Sequence, residues 1–133
     1  YDRYLLHELA ADVNSGHNVR STVFVEARSM YRTDGVENLR SVGEVEFVQG
    51  LAAASASGLY GPTQAASAII GAADISLGEA VEPILEAMGV LIFKVEHRDD
   101  VDKATLAALS AVGKGAQSAA IILSQKFLGA KGF

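Results

Sequence analysis

The chain has 133 residues, half of them hydrophobic and a fifth charged, with a formal net charge of −5 and no cysteine. That length suits a single domain over residues 1–133 with a modest core, and the lack of cysteine excludes disulfides and thiolate metal sites. Acids and bases are mixed without a basic stripe, so nucleic acid is not an expected partner. No apolar run approaches the roughly 20 residues of a spanning helix, and no polybasic or amphipathic anchor is present, so no membrane partner is expected either. The start, Tyr1-Asp2-Arg3-Tyr4, is polar and unlike a secretory signal. A cytoplasmic location is therefore the default, and the absence of an initiator Met points to trimming or an incomplete chain.

In chain order, Tyr4, Leu5, Leu6, Leu9 and Val13 recur at spacings of three and four, which predicts an amphipathic helix over 4–14. Gly16 suits the turn that ends it. The β-branched and aromatic run from Val19 to Glu26 predicts a strand. Asp34-Gly35 marks a loop, and Glu44, Val45, Phe47, Val48 and Leu51 return to helical spacing over 44–57. Gly58 to Pro62 breaks that helix. Small residues at 66–71 read as a closely packed strand, and 77–88 as a helix with Pro83 early enough to be tolerated. Val90–Val95 is the clearest strand. Asp99 and Asp100 cap a helix over 101–112, interrupted by Gly113-Lys114-Gly115. The spacing around that Lys is not that of a phosphate-binding loop. Residues 116–128 resume as an apolar segment in which 119–123 fits helix or strand alike, and the tail from Gly129 is expected to fray.

The order α-β-α-β-α-β-α predicts an α/β fold of parallel βαβ units, with three adjacent strands in one sheet. The strands are nearly continuously apolar, as expected of parallel strands buried on both faces. In such folds the chemistry sits beyond the carboxyl ends of the strands, and all three ends are polar here. The first closes on Glu26, the second on Gly71-Ala72-Ala73-Asp74, and the third on Glu96-His97-Arg98-Asp99. Glu26, Asp74 and His97 are therefore the candidate catalytic residues. Carboxylates with an imidazole suit acid–base work or a borderline cation, and Asp74 and His97 are the candidate ligands of a divalent Zn or Mn. Each also has a plainer reading. Asp74 can cap a turn, Glu26 can pair with Arg28 or Arg32, and His97 can be a solvated loop residue. His7 and His17 are expected on the surface.

The run from Ser15 to Ala27 (SGHNVRSTVFVEA), with Met30-Tyr31-Arg32, Val42-Gly43-Glu44-Val45-Glu46-Phe47-Val48, Ser57-Gly58-Leu59-Tyr60-Gly61-Pro62-Thr63 and Ala68 to Gly78, resembles the amidohydrolase-2 family. The similarity continues through Val81–Ala87, so it covers residues 5–87 and leaves 88–133 as a divergent section. Phe93-Lys94-Val95-Glu96-His97 is similar to that family's next strand, with His97 at its final position. The resemblance implies an internal section, about half, of a TIM barrel. The family's H-x-H first strand would then fall before Tyr1 and its late Asp after Phe133. It also implies metal-dependent, lactonase-like hydrolysis of a small-molecule substrate, a lactone or an amide. The alternatives are a non-catalytic scaffold that self-assembles and a small-ligand binding protein. Open edges on a three-stranded sheet lead us to expect a homo-oligomer.

Overall fold

The computed structural model describes residues 3–114 and 118–123. They form a mixed α/β protein whose helices are α1 (Leu6–Val13), α2 (Val42–Ala56), α3 (Glu82–Ala87) and α4 (Val101–Lys114). The strands are β1 (Ser21–Val25), β2 (Gln64–Ile70), β3 (Val90–Val95) and β4 (Ser118–Leu123). They divide into two compact units, Tyr1–Asp74 and Ile75–Phe133. Among the described residues no helix is long and apolar enough to cross a membrane.

In the first unit, α1 starts where Glu8 turns back to accept a 2.9 Å hydrogen bond from the Leu5 amide, so one of the unpaired N–H groups at the helix start is satisfied. The parallel pairing expected of the first two strands is present: Val23 faces Ala68, Phe24 faces Ile69 and Val25 faces Ile70. The ladder is irregular between Ser21 and Val23. Ala66 there takes a left-handed φ of 51°. Thr22 bridges the gap, accepting from the Ala66 amide on its hydroxyl and from the Ser67 hydroxyl on its carbonyl. Helix α2 packs on β2, burying Val42, Val45 and Val48 at three-residue spacing together with Leu6 and Ala65. At the far end of that contact, the buried Ser55 hydroxyl donates to the Thr63 carbonyl and accepts from the Ala65 amide.

The second unit has the same plan, with β3 and β4 parallel and in register from Val90–Ser118 to Val95–Leu123. Helix α4 covers this pair through the buried Ala104 and Ala108, one turn apart, while Val81, Ile84 and Val95 complete the core. Lys94 of β3 is tied to Glu82 of α3 at 2.6 Å.

Four expectations need correction. Strand β3 is hydrogen-bonded to β4, so the strands form two parallel pairs rather than three neighbours in one sheet; the ambiguous stretch 119–123 supplies the missing partner. The helix expected over 77–88 is 3-10 turns over Ile75–Val81 followed by α3, because Gly78 (φ 60°, ψ −130°) breaks the helical path and Pro83 falls in the first turn of α3. Helix α4 runs through Gly113 to Lys114 instead of stopping at 112. The apolar strands also prove one-sided. Val23, Val25 and Ile70 are each more than half exposed, so among the described residues of the first unit the face opposite α2 is left uncovered. The expected fraying from Gly129 lies outside the described residues.

Candidate functional site

Strand β1 ends at Val25, and the Glu26 amide continues the ladder with a 2.8 Å hydrogen bond to the Ile70 carbonyl. This fixes the Glu26 backbone at the carboxyl end of the parallel pair, where side chains of such folds meet ligands. Its carboxylate is 24% exposed. The Tyr31 hydroxyl donates to Glu26 Oε1 at 2.8 Å, and the Arg28 guanidinium lies 3.8 Å from the same oxygen. Arg28 is 86% exposed, and solvent-exposed ion pairs contribute only about 0–1 kcal/mol. The phenol is the better-placed partner. Burial first, then the hydrogen bond to Glu26, pushes the Tyr31 phenol above its ordinary range.

The loop that carries these groups is held by the first two turns of α2. Glu44 is 1% exposed. Its Oε1 accepts from the Ala27 amide at 3.2 Å, the Ser29 amide at 2.7 Å and the Ser29 hydroxyl at 3.0 Å. Buried carboxylates persist where donors converge on them in this way. Gly43 sits under the same loop: a Cβ there would lie 2.7 Å from the Met30 carbonyl oxygen and 2.8 Å from the Arg32 amide nitrogen. Arg32 closes the loop with a two-pronged ion pair to Glu46, which holds the Glu46 carboxyl below its ordinary range. Arg28 and Met30 both take left-handed backbone, with φ of 56° and 53°. That conformation costs a non-glycine residue roughly 1–2 kcal/mol, whereas one hydrogen bond to a charged group contributes about 1.5–3 kcal/mol. The bonds to Glu44 therefore suffice to hold the loop.

Of the two arginines expected to pair with Glu26, Arg28 stands beside it and Arg32 is committed to Glu46. Asp74 is exposed, four residues past the end of β2, at the same carboxyl end of the pair as Glu26. His97 belongs to the second unit. It is exposed between β3 and the turn at Arg98–Asp100, and it borders a crevice of about 480 Å³ with Phe93, Glu96, Asp100 and Lys103. Among the described residues, no three His, Asp or Glu side chains gather into a set that could hold a metal ion. His17 is exposed as expected; His7 is exposed too, with its ring edge-on to Tyr60 at 5.0 Å between centroids.

Sequence reasoning passed over Tyr31 and Glu44. A signal for Glu44 was present, because it falls at helical spacing with Val45 and Val48 on the face that α2 buries. Comparison of the chain with protein-family models, with curated proteins and with solved structures gave no match.

Proposed function

We propose that the first unit carries the remnant or core of a hydrolase site, with Glu26 as the acid–base group acting on water or on the leaving group of a lactone or amide. The observation that carries this reading is the placement of the Glu26 carboxylate. It is partly exposed at the carboxyl end of a parallel pair and held by Tyr31 on a pinned loop. A carboxylate fixed by a phenol and open to solvent on its other side can take a proton from an approaching water. The resemblance to amidohydrolase-2 proteins supports the substrate class and the half-barrel ancestry, and it would imply a divalent Zn or Mn ion. The experiment is a panel of aliphatic lactones and simple amides assayed with wild-type protein and Glu26→Gln, with the metal content of both measured by atomic emission. Hydrolysis lost in Glu26→Gln supports the site. Equal rates in the two proteins, or none in either, reject it and leave Glu26 as a structural partner of Tyr31.

A second reading is favoured by a different observation. The exposed Val23, Val25 and Ile70 of the first pair and strands that, among the described residues, have one neighbour each suit a scaffold that buries them by self-association. A monomer mass by light scattering at micromolar concentration would count against it.

A further inference from the structure

We propose that Glu44 is a positioning residue for the strand-end site: through its bonds to Ala27 and Ser29 it sets the loop that delivers Tyr31, and with it Arg28, to Glu26. The inference rests on the reading of Glu26 as the reacting carboxylate, but its geometry stands apart from any activity.

Three donors from the segment just after β1 converge on one buried oxygen, Glu44 Oε1. They bracket Arg28, so the residue that faces Glu26 is held on both sides by Glu44. Two residues beyond Ser29 comes Tyr31, whose hydroxyl returns to Glu26. Between these anchors the backbone takes a left-handed turn at Arg28 and another at Met30. A loop so shaped has no local reason to hold its form, since neither residue is a glycine. The form is imposed from α2. Glu44 points at the loop because it occupies the buried face of α2, and Gly43 beside it leaves the space through which the Met30 carbonyl and the Arg32 amide approach. A helix residue thereby dictates where a phenol sits at the end of a strand, without touching that strand's carboxylate.

The test reads Tyr31 directly. In protein labelled at tyrosine Cζ, the Tyr31 resonance, assigned with Tyr31→Phe, is followed against pH in wild type, Glu44→Ala and Glu44→Gln. Wild-type Tyr31 titrates above an ordinary phenol, raised by burial and by Glu26, with Glu44 adding to the effect and Arg28 opposing it. Glu44→Ala should release the loop. The Tyr31 titration then falls toward that of an ordinary phenol, and hydrogen exchange at the Ala27 and Ser29 amides speeds up about tenfold or more, the equivalent of one lost hydrogen bond. Glu44→Gln keeps an acceptor oxygen in place and should rescue most of the Tyr31 behaviour. Faster exchange at Ala27 and Ser29 with an unmoved Tyr31 would overturn the proposal, since Glu44 would then stabilise the loop without positioning the phenol. If Glu44→Ala does not fold, Ser29→Ala replaces it. That variant removes one of the three donors, and a folded Ser29→Ala protein with unchanged Tyr31 titration is equally fatal. The lactone and amide assay tests the hydrolase reading separately, because Tyr31 titrates whether or not any substrate is turned over.

Discussion

The Tyr31 hydroxyl donates a 2.8 Å hydrogen bond to the carboxylate of Glu26, five residues earlier and on the far side of two left-handed turns. The bond is part-buried, so water replaces it only in part. Tyr31→Phe should leave the fold intact and destabilise the first unit by about 0.5–1.5 kcal/mol. All four tyrosines lie within the first 60 residues, so tyrosine fluorescence during urea unfolding reports on that unit alone, and Tyr4 and Tyr60 still supply the signal in the variant. An unchanged midpoint would show that solvent satisfies Glu26 equally well.

Two glycines of α2 should respond with opposite signs to the same change. Alanine is favoured over glycine inside a helix by about 0.8–1 kcal/mol. At Gly50 nothing lies within 4 Å of the added Cβ, so Gly50→Ala should stabilise by close to that amount. At Gly43 the Cβ would meet backbone atoms of Met30 and Arg32 at 2.7 and 2.8 Å. Neither neighbour is a flexible side-chain end. Gly43→Ala should therefore cost about 1–3 kcal/mol, as overpacking does elsewhere. Parallel urea titrations of the two variants decide this, and a stabilising Gly43→Ala would mean that the loop lifts away easily.

Much of the secondary structure was legible because it is local. The Val–Phe–Val run of β1 and the Val90–Val95 run declare strands by residue type, and Leu6 and Val13 declare a helix by spacing. The partner of β3 was not legible, since 119–123 is apolar without a period that separates helix from strand, and pairing is decided by contacts distant in sequence. The start of the helix expected over 77–88 differs because one residue, Gly78, leaves the helical path, so the α-helix begins only at Glu82. At the candidate site, Glu26 could be found from its place after a strand. Glu44 is marked only as a residue of the buried face of α2, and neither its role nor that of Tyr31 could be read, because both depend on a loop that folds back by 15 to 17 residues onto α2.

Ser55 offers a test of the packing beneath β2. Its hydroxyl is 4% exposed by residue and serves two backbone groups at once, donating to the Thr63 carbonyl at 3.1 Å and accepting from the Ala65 amide at 2.9 Å. Ser55→Ala strands both groups away from water. The loss should be about 1–3 kcal/mol, larger than an ordinary helical Ser→Ala change, which propensity alone would make favourable. Ser55→Thr keeps the hydroxyl and should recover part of the loss. Equal stability of wild type and Ser55→Ala would show that water reaches Ala65 and Thr63.

Acid should weaken the first unit through two identified carboxyls. Glu8 is held below its ordinary value of 4.5, chiefly by the Leu5 amide and then by its own, with Arg3 adding and burial opposing. Glu46 is held below the same value by its hydrogen bonds to Arg32, again against burial. In both cases the folded-state value lies under the unfolded one. Between the two values the unfolded chain binds more protons, so stability rises with pH there. The contribution is complete above pH 4.5 and is lost as pH falls through the lower, folded values. Both side chains are exposed enough for salt to matter, and it should matter unequally. The Arg32–Glu46 pair is ionic and is screened in 1 M NaCl, where the Debye length is about 3 Å. The leading partner of Glu8 is a backbone N–H, which salt screens less. Urea midpoints read by tyrosine fluorescence between pH 6 and pH 3 should fall more gently in Glu8→Gln and in Glu46→Gln than in wild type. High salt should erase more of the difference between wild type and Glu46→Gln than of that between wild type and Glu8→Gln. A wild-type acid slope that neither substitution reduces would assign acid sensitivity to other carboxyls and remove both contacts from the causes of this unit's stability.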